Sequence, residues 1–331
     1  MWGLLIALLG FMVASSARAE LPVNYLIPDP RAARDFALCA STAALSGPPQ
    51  SESINPAGIE LFEPSERLRT TLLLNPASAG LLPVIWQGQS RTTPEKIVDS
   101  ARLLAYGIGV QKSVLVLTAL LTEPVLREEE LPTGRAFETN PLEERYCNSL
   151  LLKLQLHPQI AVGGRVDRVY ENHRFIGDAY SYGVILRRKS VAVGFQYQQY
   201  PPDGVFSMHP LDRRGRQTTN AALTWNHLGL ALSLQVLNLT QKSERAFLEP
   251  HAGVEWRPLR AVVFRAGGTQ FSRSDRWAWT AGLGLLDANW LRKPARRLTT
   301  PDDVLQLAAG VIYRKRTPLS LMGVLTLAWR L

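Results

Sequence analysis

The chain has 331 residues, 46% of them hydrophobic, and a formal charge of +9 from 37 Lys and Arg against 28 Asp and Glu. Past the amino terminus no apolar run reaches the roughly eighteen residues that a membrane-crossing helix needs. That argues against a helical membrane protein, whereas a transmembrane β-barrel hides its hydrophobicity in alternation.

Residues 1–19 read as a secretory signal peptide. Leu4–Val13 is a short apolar core, and Ala17-Arg18-Ala19 gives the small-x-small pattern for cleavage after Ala19. No Lys or Arg precedes the core, and an amino-terminal anchor helix is the competing reading. Residues 20–58 differ from everything that follows. Arg31–Gly47 is rich in small residues, fits a short helix or a compact irregular piece, and is ended by Pro48-Pro49. Asn55-Pro56-Ala57-Gly58 is, by itself, turn chemistry.

From there to the end the chain alternates apolar and polar residues with the period of two that a half-buried strand requires. Segments in chain order are Arg67–Leu74, Ala101–Val110, Ser113–Thr122, Arg145–Leu156, Gln159–Tyr170, Ala179–Arg187, Val191–Tyr200, Thr218–Trp225, Leu228–Leu239, Gly253–Arg257, Arg260–Thr269, Trp277–Leu286, Val304–Tyr313 and Leu319–Leu331. That predicts an all-β fold, a transmembrane antiparallel barrel of about 14 strands, an even number as single-chain bacterial barrels have. Tight turns are expected at Gln111-Lys112, His157-Pro158, Arg188-Lys189-Ser190, Asn226-His227 and Pro258. They alternate with longer connections at Glu123–Glu144, Glu171–Asp178, Pro201–Gln217 and Thr240–Glu249, the asymmetry of short periplasmic turns and long external loops. Asn289–Asp303 and Lys315–Thr317 break it.

The faces sort by size. Leu150, Leu152, Leu154 and Leu156 oppose Cys147, Lys153 and Gln155; Leu230, Leu232, Leu234 and Val236 oppose Ala231, Ser233 and Gln235; Val193, Phe195 and Tyr197 oppose Gly194, Gln196 and Gln198. A small, polar second face suits a lumen that holds water or a plug better than the filled centre of a soluble barrel. Trp225, Trp256, Trp277, Trp279, Trp329, Tyr170, Tyr180 and Tyr313 lie near strand ends or on apolar faces, as interfacial aromatics do. A soluble sandwich core is the competing reading of the alternation. Arg165, Asp167, Glu255 and Arg265 take luminal parity. Structural pairing is the ordinary explanation of such charges, since buried charges need partners; a ligand role is the other.

In the last strand Leu319, Leu321, Leu325, Leu327, Trp329 and Leu331 share one parity. A terminal amphipathic strand with an aromatic near its end resembles the assembly signal of outer-membrane barrels. Their final residue is usually Phe, where this chain has Leu331. The small-residue stretch with Phe36, followed by Asn55-Pro56-Ala57-Gly58-Ile59 before the first strand, resembles the FadL-type outer-membrane transporter superfamily, closest to its PorV/PorQ-like branch. His251-Ala-Gly-Val-Glu-Trp-Arg-Pro-Leu259, Phe264-Arg-Ala-Gly-Gly268, Gly282-Leu-Gly284 and Val236-Leu-Asn-Leu239 carry the same resemblance; residues 75–145 match poorly. It implies an outer-membrane location, a luminal plug-like segment over 20–58 and a barrel over 59–331. It also implies a channel for hydrophobic small molecules, or a scaffold for secretion or surface attachment. Phe36, Asn55, Pro56, Ala57 and Gly58 would be the plug's contact residues, with Arg165, Asp167, Glu255 and Arg265 facing them. Trp329 and Leu331 would be read by the barrel-assembly machinery. With Cys39 in the lumen and Cys147 of inward parity, an exported protein could join the two; two unpaired thiols are the alternative, and spacing does not choose between them.

The five histidines are scattered without metal-ligand spacing, and no Gly-x-Ser-x-Gly, His-Glu-x-x-His or phosphate-cradling loop occurs. No cofactor and no catalytic residues are expected. The basic runs, including Arg213-Arg214-Gly215-Arg216, fall in loops of an exported chain. Anionic lipopolysaccharide suits them better as a partner than nucleic acid does, because guanidinium binds phosphate well.

Overall fold

The computed structural model describes residues 33–47, 55–59, 67–74, 105–124, 145–171, 174–199, 217–237, 239, 248–272, 276–287, 289, 303–314, 320–327 and 329–330. The expected signal peptide over residues 1–19, the loop runs at 127–130, 213–216 and 292–297, and Leu331 lie outside them. Among the described residues no helix is long and apolar enough to cross a membrane, which says nothing about crossing by strands.

The fold is all-β. One antiparallel sheet holds β1 (Arg69–Leu74), β2 (Ala105–Lys112), β3 (Leu115–Pro124), β4 (Arg145–His157), β5 (Ile160–Glu171), β6 (Arg174–Arg188), β7 (Val191–Gln199), β8 (Gln217–His227), β9 (Leu230–Leu237), β10 (Glu249–Leu259), β11 (Val262–Ser272), β12 (Arg276–Asp287), β13 (Asp303–Arg314), β14 (Ser320–Leu327) and β15 (Trp329–Arg330). Each strand from β1 to β14 pairs with its sequence neighbours, and β15, the continuation of β14, pairs with β1 through Leu73–Arg330 and Leu74–Trp329. Every predicted segment overlaps a strand.

The connections differ from expectation in detail. The two-residue turns fall at Ser113-Val114, Pro158-Gln159, Lys189-Ser190, Leu228-Gly229 and Arg260-Ala261. The reading of Asn226-His227 as a turn is therefore corrected: both residues are in the ladder, and His227 pairs with Leu230. Leu228 (φ 45°) and Gly229 (φ 81°) supply the two left-handed positions that a type I′ turn demands. Nor is Glu171–Asp178 a long connection. Glu171 pairs with Arg174 and β6 begins five residues before its expected start, because Phe175 continues the aromatic face past Gly177-Asp178.

The sheet has two unlike faces. One exposes Leu150, Leu152, Leu156, Leu186, Leu223, Leu232 and Leu234 along the strands. Aromatics sit toward both ends of that face. Trp225 stacks on His227 and Trp256 tilts against Phe264 at the tight-turn end. Trp277 stacks on Trp279, 57% exposed, at the other. The opposite face is covered and mostly small or polar: Ser149, Thr224, Ser233, Gln235, Thr269 and Thr280 are all buried there. It is not uniformly so. Leu73, Val116, Leu120 and Leu151 form an apolar patch under Ile59, which the rule of a small, polar inner face did not anticipate.

Candidate functional site

What covers that face is the amino-terminal segment. Helix α1 (Ala33–Ala37) is a single turn whose five residues are all buried. It ends in a backbone reversal: the Ala40 amide reaches back to the Asp35 carbonyl at 2.7 Å, and Cys39 (φ 48°) and Ala40 (φ 57°) are left-handed. Left-handed backbone costs a residue with a Cβ about 1–2 kcal/mol, so surrounding contacts must hold it. A 3₁₀ turn (Pro56–Gly58) follows later, capped by Asn55, whose side-chain oxygen accepts from the Ala57 amide at 3.0 Å. Pro56 opens the turn, where its missing N–H is not needed.

The segment has little regular structure, so its peptide groups look elsewhere for partners. The sheet supplies them. Thr280 donates to the Ala37 carbonyl at 2.9 Å, and His251 Nδ1 lies 2.6 Å from the Cys39 carbonyl. Ser233 donates to the Ser41 carbonyl, and Gln235 accepts from the Ala43 amide at 3.0 Å. Asn55 donates to the Ala43 carbonyl at 2.6 Å, joining the two pieces of the segment, and Lys153 donates to the Ile59 carbonyl.

Close approach of two backbones requires that the wall lack side chains at the contacts. Three pairs of neighbouring glycines meet this need. A Cβ on Gly163 would lie 2.5 Å from the Pro56 carbonyl carbon, and one on Gly183 would overlap the Asn55 side chain. A Cβ on Gly267 would lie 2.5 Å from the Leu38 carbonyl carbon, and Gly253 would meet Ser41. Gly282 faces Ala37, and Gly310 lies under the Phe36 ring, 2.8 Å from Cζ to the missing carbon.

Charge completes the seat. Arg34 Nε donates to Glu255 Oε2 at 2.9 Å, and Arg265 Nε donates to the same oxygen at 2.7 Å. Arg265 also donates to Asp303, which accepts from Arg257 at 2.7 Å through its other oxygen. Arg34 NH1 and Arg187 NH2 both reach Ser46, at its carbonyl (3.0 Å) and its hydroxyl (2.6 Å). A second cluster lies on β4 and β5, where Arg165 donates to Asp167 at 2.5 Å and to Ser149 at 2.9 Å.

The structure thus brings Phe36, Asn55, Pro56, Ala57 and Gly58 against the wall, and Glu255 and Arg265 into contact with the segment through Arg34. Arg165 and Asp167 take the expected face and pair with each other. Of the two alternatives for Cys39 and Cys147 the structure has the unjoined one: no disulfide links them. Cys39 Sγ lies 3.0 Å from Thr280 Oγ1 on β12, whereas Cys147 is on β4 beside Ser149, eight strands away in the sheet order. Sequence reasoning missed Arg34, His251, Thr280, Asp303 and the glycines. The glycines were findable, since each has covered-face parity on its strand.

No family model matches the chain, and no curated protein matches it. Among solved structures the similarities are remote. A triple mutant of Rhodopseudomonas blastica porin is 8% identical, with 67% of this chain and 76% of that chain covered at a TM-score of 0.37. A second mutant of that porin has 7% identity at the same coverage and score. A chain from work on the in-meso crystallization of membrane proteins is 10% identical over 56% of this chain and 78% of that one, with a TM-score of 0.33. Similarity at this level carries nothing about activity.

Proposed function

We propose that the chain is an outer-membrane β-barrel of about fourteen strands, closed where β15 meets β1, with residues 20–58 in its lumen as a plug. The observation that carries this reading is the exposed face: leucines along the strands with aromatic residues toward both ends, the profile of a wall crossing lipid. Strands such as β4, β5 and β12, of 13, 12 and 12 residues, are long enough to cross. The chain is then exported with cleavage after Ala19, and lipids and lipopolysaccharide are its surroundings. On the FadL-type resemblance, the function is passage of hydrophobic small molecules through a lumen whose resting state is plugged. The apolar patch of Leu73, Val116, Leu120 and Leu151 beside Ile59 supplies aliphatic contacts for such molecules. The second reading, a PorV/PorQ-like scaffold for secreted proteins, is favoured by the tight wedging of the plug into the glycine seat, which suits a wall that never opens.

Fractionation tests the class. The mature protein is expected in outer membranes, with gel mobility that changes on heating; recovery as a soluble periplasmic protein without detergent ends the barrel reading. Gentle solubilisation then separates the two functions. Bound apolar small molecules support passage, and a stoichiometric protein supports a scaffold.

A further inference from the structure

We infer that the exposed face of the wall binds one anionic phospholipid at the tight-turn end, its phosphate held by Arg188, Lys189 and Trp225 around Val191. The inference rests on the barrel reading, which turns this face toward lipid and the tight turns toward the periplasm. The lipid within reach is then a phospholipid of the inner leaflet, not lipopolysaccharide.

The register builds the site. Arg188 on β6 pairs with Val191 on β7, and Val191 pairs with Trp225 on β8. Strands lie roughly 4.8 Å apart, so the backbones of Arg188 and Trp225 stand about 10 Å apart. Only the short side chain of Val191 lies between them, which leaves room for a phosphate between two long ones. The next row of the same face is Leu186, Val193 and Leu223, with Leu186 and Leu223 44% and 46% exposed. That row is an apolar bed for an acyl chain, below a cation and an indole placed as at a membrane boundary.

The intervening row faces the other way and shows what Arg188 lacks. Ala192 and Thr224 are buried there, and Arg187 donates to the Ser46 hydroxyl at 2.6 Å. Among the described residues neither Arg188 nor Lys189 has an acidic partner. β7, β8 and β9 contain no Asp or Glu, and the one acid of β6, Asp178, is at its far end, accepting from Arg168 at 3.2 Å. Two uncompensated cations beside an indole are complementary to an anion. Guanidinium takes phosphate oxygens in pairs, and the indole N–H supplies a further donor.

The place is also held still. The Asn226 amide donates to the Ser190 carbonyl at 2.7 Å, tying the β6–β7 turn to β8, and Trp225 is stacked on His227 at 5.6 Å between ring centroids. Lys189 itself is left-handed, at φ 52°, where Asn or Gly would sit with less strain. The turn thus keeps a cation where turn chemistry alone would not choose one.

The experiment uses the full mature chain in phosphatidylcholine vesicles doped with brominated phosphatidylglycerol or, separately, brominated phosphatidylcholine. Bromine quenches nearby tryptophan, and the difference between the parent and Trp225→Phe isolates the Trp225 signal. Phosphatidylglycerol is expected to compete for this place at least about fivefold better than phosphatidylcholine, as one or two cations near a lipid surface would give. Arg188→Gln with Lys189→Gln is expected to bring the two lipids within about twofold of each other. A parent without preference, or a preference that survives the double substitution, overturns the site. Salt gives a second measure on the parent, independent of whether that variant folds: the preference is expected to fall as salt rises, and a salt-insensitive preference overturns the inference. An acidic periplasmic protein that co-purifies with the parent but not with the double variant, without any lipid preference, also overturns it. A parent that does not insert into vesicles instead defeats the barrel reading on which the site rests.

Discussion

At the scale of single residues, the seat depends on atoms that are missing. Gly183 and Gly164 lie on neighbouring strands and face opposite ways: Gly183, paired with Gly163 and Gln196, turns its vacant position toward the Asn55 side chain, whereas a Cβ on Gly164, paired with Tyr182, would meet Tyr182 Cδ1 at an ordinary 3.8 Å. Gly183→Ala is therefore expected to cost about 1–3 kcal/mol, the range for overpacking a filled interior, while Gly164→Ala stays under about 1 kcal/mol. Equal shifts in the urea unfolding midpoint for the two variants would show that Asn55 does not depend on Gly183. Much of this was within reach of the sequence. Parity places Gly183 on the inner face as firmly as it places Arg165. What parity does not supply is the partner, because Asn55 comes from a piece of chain without periodicity. Arg34 escaped notice for the same reason: the helix that carries it is one turn long, too short for a helical pattern to show.

At the scale of elements, alternation was a dependable guide and turn chemistry a weaker one. The segment Leu228–Leu239 was recognised from its leucines, yet its turn lies two residues later than Asn226-His227. Ladder pairing outweighed the local preference of Asn for turns, and Gly229 supplied the left-handed position instead. The final strand is divided: β14 pairs with β13, and after Ala328 the backbone of Trp329 and Arg330 pairs with Leu74 and Leu73. Trp329, one of the two residues assigned to the assembly signal, is thus part of the pairing with β1. Trp329→Ser combined with Leu331→Ser removes two apolar side chains of one parity and is expected to lower the yield of heat-modifiable protein in membranes several-fold, roughly the effect of losing interfacial anchors. An unchanged yield would mean that assembly does not read this strand.

At the scale of the molecule, the amino-terminal segment and the wall are parts of one packing problem, and this is where the sequence was least informative. Composition explains why 20–58 differs from the strands, but its docking is set by contacts very distant along the chain: Arg34 to Glu255 is separated by 221 residues and Ala37 to Thr280 by 243. No local pattern encodes such distances. The same blindness allowed Cys39 and Cys147 to be considered as a pair: Cys147 does take the covered face and Cys39 is buried against it, but Cys39 sits at β12 and Cys147 on β4, with seven strands between them in the sheet order.

Those long separations have a consequence for how the molecule comes into being. Helix α1 emerges early in synthesis, but its seat on β11, β12 and β13 is made from the last part of the chain. The helix must therefore wait, undocked, until the carboxyl-terminal hairpins are in place, and contacts of such high sequence separation form slowly. Refolding is expected to show two phases: tryptophan emission reporting wall formation, and a later phase in which Cys39 becomes protected from alkylation. Simultaneous phases would mean that the wall and its amino-terminal segment condense together, the segment acting as a template around which the hairpins gather.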